Sequence, residues 1–93
     1  MTRTKLATTW LTAFEDARSV IGVEAAMDRA ASVLHEAHGV QLAVREEAGR
    51  LVASATLPSG AVVEATEATY LTPTTRLRLT AMVLSTVRVR DLG

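Results

Sequence analysis

The stretch VQLAVREEAGRLVASATLPSGAVVEATEATY, residues 40–70, carries the clearest periodicity in the chain. Val40, Leu42 and Val44 alternate with Gln41, Ala43 and Arg45, the period-two pattern of a half-buried strand. Glu46-Glu47-Ala48-Gly49 then supplies a short turn with a glycine available for positive φ. Leu51, Ala53, Ala55 and Leu57 line one face of a second strand, and Pro58-Ser59-Gly60 is a turn with proline fixing the first central φ. A third strand is expected over Ala61–Tyr70, placed at an edge because Glu64, Thr66 and Glu67 make its outer half polar. The product is a three-stranded antiparallel meander.

Upstream the period changes. Leu6, Trp10, Phe14, Ala17 and Ile21 recur at threes and fours, the spacing of one helical face. Met27, Ala30, Leu34 and Ala37 form a second such stripe, about a third of a turn out of phase with the first at roughly 100° per residue. One straight helix would aim the two stripes at different targets. Gly22 sits at the phase change, where glycine costs about 1 kcal/mol inside a helix, so two helices with a break near Val20–Val23 are expected. Gly39 suits a left-handed cap on the second, with His38 at the negative end of its dipole and Val40 folding back toward Leu34.

Downstream, two readings compete. Thr72-Pro73 resembles a helix start, threonine as N-cap and proline at the first position. Leu77, Ala81 and Leu84 would then share a face. Against this, Arg76, Arg78, Arg88 and Arg90 are all even-numbered, while Leu77, Leu79, Ala81, Val83, Val87 and Val89 are all odd, which a long strand would separate cleanly. The expected arrangement is a helix over about Pro73–Thr86 with Val87–Asp91 extended. The whole chain, 93 residues, is thus expected to be one α+β domain: a broken N-terminal helical pair, the meander and a C-terminal helix.

This helix–β–β–β–helix order is similar to that of double-stranded-RNA-binding domains. Their last helix starts lysine-rich, whereas this chain has Thr74-Thr75-Arg76-Leu77-Arg78 there. Val23–Leu57 resembles the opening helix and hairpin of a GAF sensor domain, which needs more chain to close a ligand pocket. No residue role is carried over from either.

Composition narrows the function classes. Ten basic and ten acidic side chains balance, so no net charge points to nucleic acid or a membrane surface. There is no cysteine, which removes disulfides, thiolate catalysis and Cys-type metal sites. No run approaches eighteen apolar residues, and the first five residues lead into an amphipathic pattern, so a cytoplasmic chain is expected. Nine arginines against one lysine, with abundant alanine, valine and threonine, are what a GC-rich bacterium or its phage writes.

Candidate chemistry is sparse. His35-Glu36-Ala37-His38 spaces its histidines three apart, one short of the H-E-x-x-H of zinc proteases, and reads as the polar last turn of a helix. Glu46-Glu47 and Glu64/Glu67 read as a solvated turn and a charged edge strand rather than as acid–base pairs. Serines 19, 32, 54, 59 and 85 lack nucleophile-elbow context, and the five glycines are isolated, so no phosphate loop exists. No cofactor and no catalytic residue is expected.

What remains points to docking. Only Trp10, Phe14 and Tyr70 are aromatic, and sixteen alanines fill much of the apolar count, so burial per residue is low and a second surface would complete the core. Residues 71–93 hold four arginines against Asp91, net +3, while residues 15–67 hold nine acids against four arginines, net −5. A self-complementary match follows, between subunits or onto the chain's own sheet. The expected function is a non-enzymatic protein–protein interaction or assembly module, a homodimer that also meets another protein, as an accessory or structural protein. Leu6, Trp10, Phe14 and Ile21 are the candidate contact face, with the alternative that this stripe covers the sheet. The competing function is a small nucleic-acid-binding regulator using Arg76, Arg78, Arg88 and Arg90 on phosphates.

Overall fold

The computed structural model describes residues 5–88. Six elements follow one another: α1 (Leu6–Ile21), α2 (Val23–His38), β1 (Gln41–Glu47), β2 (Arg50–Thr56), β3 (Val62–Glu67) and α3 (Pro73–Thr86). The architecture is the α+β arrangement expected, with the helical break at Gly22 and the last segment helical.

The sheet is an antiparallel meander in the order β1-β2-β3. Its register stacks Leu42, Ala55 and Val63 in one row and Val44, Ala53 and Ala65 in the next, on the face toward the helices. All three helices lie on that side. α3 crosses β2 and β3 and reaches β1, α2 touches β1, and α1 packs further out on α2 and α3. The buried side chains form one continuous cluster with Trp10, Phe14, Met27, Leu34, Leu51, Leu79 and Leu84 among its largest members.

Among the described residues no helix lies on the opposite face of the sheet. Arg45 on β1 reaches Glu64 on β3 at 3.0 Å, as well as Glu47 at 2.7 Å. β2 lies between those strands, so the ion pair must pass over it, and Val52 and Ser54 beneath are buried. The hydrogen bonds, Glu47's first and then Glu64's, hold the Arg45 guanidinium above its ordinary pKa.

Local signals account for the turns. The Leu57 carbonyl accepts the Gly60 N–H at 2.8 Å, the one-to-four bond of a β-turn with Pro58 at its second position. β1 runs on through Glu47, so the first hairpin loop is the two residues Ala48 and Gly49 rather than the four expected. Both have positive φ, +51° and +77°, as a type I′ turn requires. An L-alanine there lacks the side-chain oxygen that makes asparagine tolerant of this region, at a cost of about 1 kcal/mol. Ala48→Asn is therefore expected to raise stability by about 0.5–1 kcal/mol, read as a higher urea midpoint at unchanged slope. A lower midpoint would contradict this account of the loop.

Two expectations need correction. The third strand stops at Glu67 instead of reaching Tyr70, because the Thr69 N–H turns back to the Glu67 carbonyl and the Tyr70 carbonyl accepts the Thr75 hydroxyl. The chain is already bending into α3. Thr72 and Thr75 then form a reciprocal capping box, each side-chain oxygen accepting the other's backbone N–H at 3.1 and 2.9 Å. That cap, with Pro73 at the first position, decides the helix against the strand. The buried face of α3 is Leu79, Thr80, Val83 and Leu84, rotated from the Leu77–Ala81–Leu84 line, whose first two members are half-buried. Val87 leaves the helix extended, while Val89, Arg90 and Asp91 lie outside the described residues.

Candidate docking face on the helical hairpin

Leu6, Trp10 and Phe14 were the expected contact residues, and each is only 1% exposed. They are interior. Their stripe faces α2 and α3, and Trp10 lines a hollow of about 40 Å³ together with Leu42 and Val44 of β1. Phe14 stacks on it one turn later, ring centroids 5.8 Å apart and planes 8° from parallel, with the Arg18 guanidinium 5.9 Å from its centroid. Their burial places these three side chains in the chain's own core. Ile21 alone of the four is substantially exposed.

Ile21 belongs to a different surface. Gly22 reverses the chain, so α1 and α2 run antiparallel as a hairpin whose tip, residues 18–25, is exposed throughout. Val20 at 81% exposure, Ile21 and Val23 place apolar side chains at that tip. From it a groove of about 780 Å³ runs back between the outer sides of the two helices. Thr12, Ala13, Asp16 and Ala17 line one wall, Arg29 and Val33 the other, and Lys5 closes the far end. Small residues on α1 leave the hollow; a larger side chain at Ala13 or Ala17 would fill it.

The four arginines of the competing reading do not form one free basic face. Successive helical residues differ by about 100°, so Arg76 and Arg78 point roughly 200° apart on α3. Arg76 reaches Asp28 of α2 at 2.9 Å and Arg78 reaches Glu67 of β3 at 2.7 Å. Arg88 also has partners within the chain, and Arg90 lies outside the described residues. Basic tail and acidic middle thus meet within one chain, through α3 wedged between α2 and β3.

The remaining sequence candidates stay apart. His35 and His38 are exposed on the last turn of α2, and His35 borders a shallow hollow of about 280 Å³ with Glu36 and Gln41. Among the described residues no three histidine or acidic side chains converge as metal ligands. Glu64 and Glu67 fall on opposite faces of β3, one bound to Arg45 and the other to Arg78. Among the described residues no helix is long and apolar enough to cross a membrane.

Sequence reasoning missed the groove. Its α1 wall, Thr8, Thr9, Thr12, Ala13 and Asp16, has no apolar stripe, and its other wall comes from a helix whose direction depends on one glycine. The legible signal was Val20-Ile21-Gly22-Val23, three branched apolar residues around a break. No family model, no curated protein and no solved structure matches this chain.

Proposed function

We propose that this chain is a non-enzymatic protein-interaction module that docks polypeptide along the outer groove of the α1–α2 hairpin, as part of an assembly. The observation that carries the reading is the continuity of groove and tip: an open hollow of about 780 Å³ running into exposed Val20, Ile21 and Val23. Scattered apolar side chains on a surface are ordinary, whereas a contiguous apolar patch beside a groove is the form that docking sites take. On the outer sheet face the Arg45–Glu64 pair lies over buried Val52 and Ser54, and the apolar residue exposed there is Val62. The nucleic-acid reading has less support, since Arg76 and Arg78 already face carboxylates.

A photo-crosslinking residue at Thr12, in the groove, is compared with one at Thr56 on the outer sheet face, both exposed. Irradiation in cells producing the protein is expected to give protein adducts from position 12 and few from position 56. Equal yields at both positions, or adducts with nucleic acid alone, would overturn the assignment.

A further inference from the structure

We propose that the occupant of the α1–α2 groove is a second copy of this chain, seated about a two-fold axis that runs along the groove. This rests on the docking reading above and names its partner. The first ground is the state of the charges. Among the described residues, Arg18, Arg45, Arg76 and Arg78 each hold a carboxylate. The side chains of the groove's charged residues, Lys5, Asp16 and Arg29, make no hydrogen bond or ion pair with the described residues, a state they share with Arg50, Glu24, Glu36 and Glu46 elsewhere on the surface.

Their positions supply the second ground. Asp16 stands six residues before Gly22 and Arg29 seven after it, so an antiparallel hairpin sets them at nearly the same height on opposite walls. A two-fold axis along the groove carries α1 of one copy onto α2 of the other, running antiparallel. Heights are preserved and the walls exchanged. Asp16 then meets Arg29 of the second copy, and the same contact recurs by symmetry, as an isologous interface demands. The same operation seats Val33 against Thr12 and Ala13 of the other copy, where side chains are small enough to receive it. The Val20–Val23 tips come together at one end. A partner of a single charge sign would be attracted by one wall and repelled by the other; the second copy offers the complementary order.

Size is consistent with a reversible contact. Two sixteen-residue helices, each about 24 Å long and about 10 Å across, present on the order of 500 Å² per copy. The total of about 1,000 Å² stands at the lower bound for specific interfaces.

Sedimentation equilibrium from about one to a few hundred micromolar tests the proposal. The wild-type chain is expected to dimerise within that range. Asp16→Arg and Arg29→Asp should each weaken the dimer at least about tenfold, because like charges then face each other twice. The double variant should return to within about threefold of wild type. Both side chains are exposed, and circular dichroism melts confirm that the variants fold. A wild-type monomer throughout, a dimer indifferent to either reversal, or a double variant without recovery would each overturn the two-fold arrangement. Position-12 adducts with other proteins alongside a monomeric chain would leave the docking reading standing and remove only this partner; absence of protein adducts would remove both.

Discussion

Replacing Trp10 with alanine is expected to lower the unfolding free energy by about 3–5 kcal/mol. The indole is buried, stacks on Phe14 and lines a small hollow shared with Met27 of α2, Leu42 of β1 and Thr80 of α3. Removing it takes away the transfer energy of the largest ring in the chain and opens space beside a hollow of about 40 Å³ lined by Met27, Ala31, Leu42 and Thr80. A domain of this length has a total stability on the order of 5–14 kcal/mol, so the variant loses about a fifth of it or more. Thermal unfolding followed by circular dichroism should show a midpoint lower by roughly 15–30 °C. Trp10→Phe keeps a ring in the site and should recover more than half of the loss. Tyr70→Ala is the control: that ring is 85% exposed, and its removal should stay within about 0.5 kcal/mol. Equal effects at Trp10 and Tyr70 would mean that the indole is not part of the packed core.

That contrast also bears on how much could be read from residues alone. Periodicity identified Leu6, Trp10 and Phe14 as a face that must be covered, and they are covered. Nothing in a stripe says whether the cover is the chain's own core or another molecule, because both solutions need the same spacing. The meander was legible almost residue by residue, since alternation, Pro58-Ser59-Gly60 and Gly49 are local signals that fix register without distant help. α3 was ambiguous for a physical reason. Odd-numbered apolar residues satisfy a strand over the whole segment, yet Leu79, Val83 and Leu84 also satisfy a helix, and only the Thr72–Thr75 cap breaks the tie. The groove was not legible because it belongs to no single element. It exists where two polar-looking helix sides are brought together by a chain reversal, and its charges mean something only in that juxtaposition.

The reversal itself is the most exposed point of the design, and Gly22→Ala is expected to destabilise the domain by about 1–3 kcal/mol. Gly22 has φ +87° and ψ 170°, a region essentially closed to L side chains. An added Cβ would meet nothing within 4 Å, so no packing clash contributes and the loss measures backbone conformation alone. Alanine acts on the competing state too. It is the best helix former, and in an opened chain it favours α1 running straight into α2, which removes the hairpin and its groove together. An opened helix leaves Trp10 and Phe14 uncovered until α1 of another copy replaces them, so exchange of α1 between copies is the low-cost way out. The variant should therefore melt earlier and show, on size exclusion, a slowly interconverting dimer that the Asp16→Arg change does not dissociate. Chemical synthesis offers the inverse test. For D-alanine the same angles fall in a well-populated extended region, so D-Ala at position 22 should match or exceed glycine in stability, while L-Ala falls below it. If L- and D-alanine behave alike, the left-handed backbone at Gly22 is not what turns the chain.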